Sequence, residues 1–155
     1  MKKFLRRHIF HLLNFYPPYF FTGIKVIAVN EDRTKITVQM RLRCYNKNGY
    51  GTHFGGSIYS MVDPFYALLL WYHLGDQYKI WDKSAKIEYL RPSKSSIYAH
   101  CALSNEEIKR LKEVLLSETT IEPTYQIVIT DQDKKEVAKI EKTLSIRANN
   151  NGKKL

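Results

Sequence analysis

Several stretches of the chain alternate apolar and polar residues with a period of two, a pattern typical of half-buried β-strands. In residues 35–44, every second residue from Ile36 to Leu42 is apolar and the residues between them are polar. The turn-forming sequence NEDRT separates this segment from residues 23–29, so the two segments predict a β-hairpin. The same alternation predicts four more strands, in the sequences KIWDKSAKIEYLRP, SIYAHCALS, TYQIVIT and EVAKIEKTLSIR.

Two internal stretches have the patterns of helices. Residues 54–75, FGGSIYSMVDPFYALLLWYHLG, are apolar around almost every face, which predicts a long helix that is buried on all sides and ends at Gly75. Pro64 removes a backbone N–H donor inside this stretch, so it predicts a kink. Ser104 followed three residues later by Glu107 is a capping box, which predicts the start of a short second helix.

The N-terminal stretch, MKKFLRRHIFHLLNFY, carries apolar residues at helical spacing, which predicts an amphipathic helix over about residues 1–16 that packs on the domain. His8, His11 and Asn14 interrupt the apolar residues and no small-residue cleavage site follows, so a secretory signal is not expected. The stretch is also too short and too polar to span a bilayer. A helix lying on a membrane surface, with its Lys and Arg residues on anionic lipid, is the less favoured alternative.

These elements give the order helix, two strands, long helix, two strands, short helix and two strands. A mostly antiparallel sheet with one solvated face would wrap its apolar face around the long helix. The sequence therefore predicts an α+β protein of the hotdog architecture. One domain is expected over residues 1–148, followed by a polar, disordered tail over residues 149–155.

The formal net charge of +10 in 155 residues indicates an anionic partner, and nucleic acid, an anionic membrane surface or a phosphorylated small molecule would each satisfy it. The Lys and Arg residues are spread along the chain, without a basic block interleaved with aromatic residues, so nucleic acid is not expected. Cys44 and Cys101 lie in strand-like patterns and predict reduced, structural cysteines, which suits a cytoplasmic protein. His8 and His11 lack a third ligand nearby, so no metal site is expected.

The stretch around the two adjacent glycines carries a family resemblance. Asn46 or Asn48 precedes a loop, Gly55 and Gly56 follow it, and Asp63 stands seven residues after Gly56. This pattern resembles the hotdog-fold acyl-CoA thioesterases of the phenylacetyl-CoA type, and the resemblance covers nearly the whole chain between residues 14 and 146. The sequences FYPPYFFTGIKV, GTHFGGSIYSMVDPFY and WDKSAKIEYLRP are similar, more specifically, to a widespread and poorly characterised bacterial subfamily of that fold.

The glycines and the acid suggest complementary chemistry. Gly55 and Gly56 begin the predicted helix, where N–H groups without intrahelical partners can hold a carbonyl that becomes an oxyanion. Asp63, inside an apolar helix, is the candidate base on water or the candidate nucleophile. The alternative for Asp63 is a buried acid that pairs with Lys, Arg or Tyr and fixes the helix.

The spacing of these residues also bears on assembly. From Gly56 to Asp63 a helix rises by about 10 Å, which is too far for one thioester carbonyl to contact both ends. The chain is therefore predicted to form a homodimer or a dimer of dimers, in which Asp63 of one subunit serves the glycines of the other. The resemblance implies the same, since sites of this family lie at the dimer interface.

The resemblance implies an acyl-CoA or acyl-carrier-protein thioester as substrate, with coenzyme A as part of that substrate and no other cofactor. The candidate substrate-binding residues are Asn48, His53, Phe54, Tyr59, Trp81, Lys83 and Arg91. Two positions depart from the family pattern: Phe54 separates His53 from the first glycine, and Pro64 follows the acid. These departures favour the alternative function, an acyl-CoA or fatty-acyl binding protein of hotdog fold that does not turn over its ligand.

Overall fold

The computed structural model describes residues 8–149. Residues 8–12 are helical, and a 3-10 turn, Leu13–Phe15, follows them. The α-helices after this turn are α1 (Pro17–Thr22), α2 (Gly55–Ser60), α3 (Phe65–Leu74) and α4 (Asn105–Val114). The strands are β1 (Ile24–Val29), β2 (Lys35–Met40), β3 (Tyr78–Tyr89), β4 (Ile97–Ala102), β5 (Thr120–Ile121), β6 (Thr124–Asp131) and β7 (Glu136–Ala148).

The strands form one antiparallel sheet in the order β1-β2-β4-β6-β7-β3, and the short β5 pairs with β7. β1 and β2 form the predicted hairpin, with Val26 opposite Val38. The six strands predicted from the alternating pattern are confirmed, whereas the two-residue β5 was not expected. β1 and β3 lie at opposite ends of the strand order.

α3 fills the apolar side of the sheet. Its residues Phe65, Leu69 and Leu70 are completely buried, in one cluster with inward-facing strand residues that include Val38 and Ile140. Burying such large side chains completely stabilises the fold by about 1.5–3 kcal/mol each. An antiparallel sheet packed around a central helix is the predicted hotdog architecture, and the α+β class is confirmed.

The central helical region is interrupted beside the candidate acid. α2 ends at Ser60 and α3 begins at Phe65, so residues 61–64 form a turn. Pro64 has no N–H to donate to the Ser60 carbonyl, and that carbonyl accepts a 3.0 Å hydrogen bond from the Tyr19 hydroxyl instead. The predicted kink is therefore a complete break, and the single long helix that was predicted is two helices.

β2 ends at Met40, four residues before the predicted end of the strand. The cause is Asn46, whose Oδ1 accepts from the backbone N of Arg43 at 2.7 Å and whose Nδ2 donates to the carbonyl of Arg41 at 2.8 Å. Because this side chain occupies backbone groups that a neighbouring strand would need, the ladder stops there. Cys44 was predicted to lie in a strand, but it consequently lies in an exposed turn.

The ends of the chain are described only in part. The start of the helix predicted over residues 1–16, and all but one residue of the tail predicted over residues 149–155, lie outside the described residues. In the described part the first helix ends at residue 12, earlier than predicted. None of the helices within residues 8–149 is long and apolar enough to cross a membrane.

The predicted helix start at Ser104 is confirmed: Ser104 Oγ accepts a 3.1 Å hydrogen bond from the backbone N of Glu107 at the start of α4. This bond satisfies one of the N–H groups that have no partner within the helix. The Glu107 carboxylate bonds Arg110, so only this half of the capping box is formed.

Candidate functional site

Asp63 lies in the turn between α2 and α3, and 45% of its side chain is exposed. Its Oδ1 is 3.1 Å from the Nζ of Lys142, and its backbone carbonyl also accepts a hydrogen bond from that ammonium. One lysine therefore holds both the carboxylate and the backbone of the turn. The Lys142 ammonium therefore directly contacts the turn that separates α2 from α3.

Lys142 reaches this turn from the inner face of β7. In that strand Ile140, Lys142 and Leu144 alternate inward, and all three are completely buried. Removing an ammonium from water costs several kcal/mol unless carboxylates and hydrogen bonds compensate. Asp63 supplies one carboxylate, and Asp82 supplies the second, with its Oδ2 2.7 Å from Lys142 Nζ.

Asp82 is brought to Lys142 by a bulge in β3. The register between β3 and β7 shifts between Asp82 and Ser84, so one residue of β3 is left without a partner. As a result Asp82, opposite Leu144, and Ala85, opposite Lys142, both face the inner side of the sheet. The bulge thereby lets two acids from different elements meet one buried ammonium.

The charges of the cluster set its protonation. Burial raises the pKa of Asp63, but the charge and hydrogen bond of Lys142, with hydrogen bonds to Asp82 and Tyr59, outweigh burial and hold that pKa below its ordinary value of 3.8. Burial acts in the opposite direction on Lys142, whose pKa is nevertheless raised above 10.5 by the two carboxylates. At neutral pH the lysine is charged and Asp63 is ionised.

Asp82 behaves differently from Asp63 although both contact the same cation. Burial raises the pKa of Asp82, Lys142 lowers it, and the hydrogen bond and negative charge of Asp63 raise it again, so the net shift is upward from 3.8. Two carboxylates this close titrate as a pair, in which one stays ionised and the other holds its proton more tightly. The cluster therefore pairs an acid whose pKa is lowered, Asp63, with one that is easier to protonate, Asp82.

Two tyrosines surround the cluster. The ring of Tyr59, one of the predicted substrate-binding residues, has its centroid 5.3 Å from Lys142 Nζ, a cation–π contact. Burial raises the pKa of the Tyr59 hydroxyl. Tyr19, from α1, is buried and donates its hydroxyl to the Ser60 carbonyl at the end of α2. The N-terminal segment thus touches the helix that carries the candidate site.

The predicted glycines begin α2 as expected from the sequence. The first N–H groups of α2, like those of any helix, have no partner within the helix. Phe54 precedes the helix in an extended conformation and provides no side-chain cap for them. The carbonyl of Gly55 accepts a 3.1 Å hydrogen bond from the Tyr89 hydroxyl at the far end of β3. A Cβ on Gly55 would lie 3.2 Å from that hydroxyl, and a Cβ on Gly56 would lie 2.6 Å from the Phe54 ring. Both positions are too close-packed for a larger residue unless these rings move.

The loop before α2 is ordered by Asn48. Its Oδ1 accepts from the backbone N of Tyr50 and of Thr52, and its Nδ2 donates to the carbonyl of His53 at 3.2 Å. His53 is buried, and its Nε2 donates to the Ser95 carbonyl at 2.8 Å. Burial lowers the pKa of His53, so the ring is neutral at neutral pH. In this arrangement Asn48 and His53 shape the approach to the glycines.

The remaining predicted residues lie at the surface. Phe54 is 58% exposed beside the glycines, and Trp81 is 42% exposed on β3 next to Asp82. Lys83 Nζ pairs with Glu122 at 2.6 Å. The described contacts therefore gather the predicted residues into a glycine end, with Phe54, and an acid end, with Tyr59. Trp81 lies on the opposite face of β3 from Asp82, beside Arg147.

Arg91 contacts neither end of the site. It pairs with the buried Asp131 at 2.6 Å, and this hydrogen bond holds the pKa of Asp131 below its ordinary value of 3.8 against the opposing effect of burial. Its guanidinium supports the turn before β7, because Asp131 also accepts from the backbone N of Asp133 and of Lys135.

Sequence reasoning missed Lys142 and Tyr89, and it did not include Asp82 among the candidate site residues. A signal for Lys142 exists in the sequence: in the run IEKTLSI the lysine occupies a position where the two-residue period expects an apolar side chain. A lysine among the inward-facing residues of a strand indicates that it has a buried acidic partner. Asp82 and Tyr89 give no comparable local signal, since their contacts depend on the bulge in β3 and on the sheet topology.

The arrangement can support proton transfer and charge stabilisation. An ionised, half-exposed carboxylate can take a proton from water, and the free N–H groups at a helix start can stabilise an oxyanion. Within residues 8–149, no three His, Cys, Asp or Glu side chains come together as metal ligands.

The fold is similar to those of several solved structures. The protein PA5026 of Pseudomonas aeruginosa, of unknown function and a probable thioesterase, matches with a TM-score of 0.78 and 16% identity over 96% of this chain and 97% of its own. A thioesterase from Haemophilus influenzae matches with a TM-score of 0.63 and 18% identity over 84% and 82%. The Escherichia coli PaaI protein, from the phenylacetic acid degradation operon, matches with a TM-score of 0.64 and 19% identity over 92% of each chain. At these identities the likeness shows the hotdog fold.

No curated protein matches the sequence. A family model does match, that of the domain of unknown function DUF4442, and it covers residues 6–146. The match includes the glycines, Asp63 and Lys142, and therefore both ends of the candidate site. With nearly its whole length matched, the chain belongs to the DUF4442 family.

Proposed function

We propose that the protein hydrolyses acyl thioesters of coenzyme A or of acyl-carrier protein. The observation that carries this proposal is the Asp63 carboxylate, which is ionised at neutral pH and positioned by Lys142 while 45% of its side chain remains open to solvent. The thioesterase names of two structural neighbours support the same class of reaction.

In the proposed reaction Asp63 accepts a proton from water while the water oxygen attacks the thioester carbonyl carbon. The new C–O bond produces a tetrahedral oxyanion. The C–S bond then breaks, and the departing sulfur takes up the proton, so the products are a carboxylic acid and a free thiol. Asp82, which contacts the same ammonium and has a raised pKa, shares the proton between these steps. Lys142 is completely buried and acts by positioning the two acids.

The proposed oxyanion donors are the N–H groups at the start of α2. Gly55 and Gly56 carry no side chains that would cover these donors, and the nearest rings are those of Phe54 and Tyr89. Removing one donor of an oxyanion hole lowers kcat by about 10²–10³-fold in enzymes that use one. Phe54, exposed beside the glycine end, and Trp81, exposed on β3 and next to Asp82 in the sequence, are proposed to contact the acyl thioester.

We propose a dimer because the glycine end and the acid end lie at opposite ends of α2. β3 supports this proposal. It is a 12-residue strand at the end of the strand order, and its exposed residues include Trp81 and Tyr89, with Leu90 immediately after it. A long edge strand with exposed apolar side chains is a ready template for pairing with a second chain.

A two-fold axis between Ala85 and Lys86 would match this edge best. An antiparallel pair of β3 strands about that axis sets Asp82 opposite Tyr89 of the other subunit, since both lie at the same distance from the centre. Tyr89 binds Gly55, and Asp82 shares Lys142 with the candidate acid, so the acid end of each subunit would face the glycine end of the other. A dimer of dimers would retain this contact.

The second candidate function is an acyl-CoA or fatty-acyl binding protein that does not hydrolyse its ligand. The observation that favours it is the ion pair itself, because Asp63 already has a cation partner 3.1 Å away and needs no ligand to be stable. In that case the cluster would fix the helix break and nothing more. The cytoplasmic location predicted from the cysteines applies to both candidates.

Release of free thiol from a panel of short, medium, long and aryl acyl-CoAs tests the proposal. Hydrolysis is supported if at least one member releases thiol at a rate proportional to the protein concentration. Binding of the panel by calorimetry without thiol release would contradict hydrolysis and favour the binding protein. Acyl chain preference would follow from the same measurements.

A further inference from the structure

The N-terminal segment exposes large apolar side chains although it is firmly attached to the domain. The exposed side chains are those of Leu12, Phe15, Tyr16, Phe20 and Phe21, with exposed fractions from 41% to 79%. Apolar patches of this kind on a soluble surface mark sites that meet a partner or a membrane. We name these five residues the aromatic patch.

The aromatic patch is held outward by buried neighbours and is not a frayed end. Asn14 forms two hydrogen bonds with the backbone of Val26 in β1, at 2.7 and 3.1 Å. Phe10 and Tyr19 are buried, and Tyr19 also bonds Ser60 of α2. Because Phe10, Asn14 and Tyr19 anchor the segment, the aromatic patch is held in a fixed arrangement.

A basic groove adjoins the aromatic patch. It is a cavity of about 530 Å³, and its lining includes Lys25, Arg41 and Arg43 but no acid. No ion pair with a carboxylate is formed by these three cations within residues 8–149. Arg41 uses its Nε to donate to the neutral Gln39 side chain. The three positive charges are therefore available to an anionic partner.

The apolar and basic parts form one continuous surface. Phe15 lines the basic groove and also a second cavity of about 340 Å³, whose lining is entirely apolar or aromatic and includes Leu12 and Tyr16. Phe20 also lines the basic groove, and its ring contacts that of Phe21 with centroids 5.5 Å apart. The segment packs on β1, at the opposite end of the strand order from the β3 edge proposed for the dimer.

We propose that the aromatic patch and the basic groove form a docking surface for an anionic lipid bilayer. Exposed aromatic rings enter the boundary between headgroups and acyl chains, and lysine and arginine side chains beside them bind anionic headgroups. Charge complementarity selects this partner over a second copy of the chain, which carries a net charge of +10 and would bring like charges together. The protein lies on the membrane, with the Tyr19 contact linking the docked segment to α2. This inference is independent of the proposed hydrolysis.

Vesicle sedimentation with the full chain tests the docking surface. We compare vesicles of phosphatidylcholine with vesicles in which about one-third of the lipid is phosphatidylserine, at low and high salt. The protein is expected to sediment with the anionic vesicles at least ten-fold more tightly, and less tightly at high salt, because screening weakens surface electrostatics. Sedimentation that is equal on both vesicles, or absent from the anionic ones, overturns the proposal.

Paired variants separate the two parts of the surface. Arg41→Gln with Arg43→Gln is expected to weaken binding to anionic vesicles by about 25-fold, since each surface charge contributes about five-fold. The matched control, Lys109→Gln with Lys112→Gln, removes two exposed charges from α4 and is expected to bind like the wild type. Equal losses in the two double variants would show a general charge effect and overturn the proposal.

The apolar part has its own pair of variants. Phe20→Ser with Phe21→Ser is expected to weaken vesicle binding at least about ten-fold, because both rings leave water on docking. Leu116→Ser, which truncates a side chain that is 87% exposed beyond α4, is the control and should bind normally. If the double Phe variant instead binds vesicles normally but has a smaller mass in solution, the patch contacts a second copy and the proposal is wrong.

Discussion

Lys142 and Asp63, which are 79 positions apart in the sequence, meet with Nζ and Oδ1 3.1 Å apart at the break between α2 and α3. The same ammonium is 2.7 Å from Asp82, so one buried charge organises two acids from two different elements. This relationship gives the candidate acid a defined position and charge. The same contact contributes to the proposed chemistry and to the stability of the fold, and variants can test the two contributions separately.

Replacing the cation should cost stability. Lys142→Met keeps the length of the side chain but leaves Asp63 and Asp82 without their shared partner, so we expect a loss of about 1–3 kcal/mol in the free energy of unfolding. Urea denaturation near neutral pH measures this. Lys139→Met is the control, because Lys139 lies on the outer face of the same strand in an exposed pair with Glu136. Similar changes in the two variants would mean that the buried cluster contributes no more than a surface pair.

The contribution of Lys142 should depend on pH in a defined direction. Its pKa is raised above 10.5 in the folded protein, so its stabilisation is complete below that pH and is lost as the pH rises through the folded value. The pKa of Asp63 is lowered below 3.8, so its stabilisation is present above 3.8 and is lost as the pH falls through the folded value. The difference in unfolding free energy between wild type and Lys142→Met should therefore be largest where the lysine and both carboxylates are charged. It should shrink as the pH falls and first Asp82, whose pKa is raised above 3.8, and then Asp63 take up protons, and it should shrink again as the pH rises through the pKa of Lys142. A difference that grows above pH 10.5 would contradict the ion pair.

How far the sequence predicts this protein depends on the range of each interaction. The hairpin, the six longer strands and the cap at Ser104 follow from local patterns and were predicted correctly. Pro64 signalled the helix break, although its full extent depended on Tyr19 taking the Ser60 carbonyl. The predicted end of β2 was wrong, because the strand end is set by one side chain, that of Asn46.

In the candidate site, too, the residues that depend on local sequence could be predicted and those that depend on long-range contacts could not. The glycines and Asp63 stand close together in the chain and could be found from their spacing. Lys142 and Asp82 reach Asp63 only through the pairing of β3 with β7 and its bulge, which no local pattern specifies. The exposure of the aromatic patch was also missed, because helical spacing alone does not say which face the domain covers.

The dimer prediction rests on the edge of β3. Light scattering is expected to give twice the 18.3 kDa of one chain, or a multiple of that dimer. Trp81→Glu with Leu90→Glu adds charges at two exposed apolar positions of this edge and should shift the mass to that of one chain, with loss of thioesterase activity. Val128→Glu, at a similarly exposed position on the central strand β6, should change neither. A wild-type mass of 18.3 kDa at assay concentrations would show that one subunit suffices.

The glycine end can be probed by adding one methyl group. Gly55→Ala puts a Cβ 3.2 Å from the Tyr89 hydroxyl, so the ring must move away from the helix start. Because the preference of alanine over glycine in a helix, up to about 1 kcal/mol, is opposed by displacement of the Tyr89 ring, stability should change little, while kcat should decrease as the donors are disturbed. Gly49→Ala is the control, because a Cβ there meets no atom within 4 Å. Unchanged kcat in Gly55→Ala would remove the start of α2 from the proposed mechanism.

The most direct test of the account is the initial rate of thiol release by Asp63→Asn on the acyl-CoA that the wild type hydrolyses best. Asparagine preserves the size of the side chain but cannot accept a proton, so kcat should fall by about 10²–10⁴-fold. Asp133→Asn, an exposed acid in the turn before β7, should retain the wild-type rate. If folded Asp63→Asn releases thiol as fast as Asp133→Asn, Asp63 is not the catalytic base and the proposed mechanism is wrong.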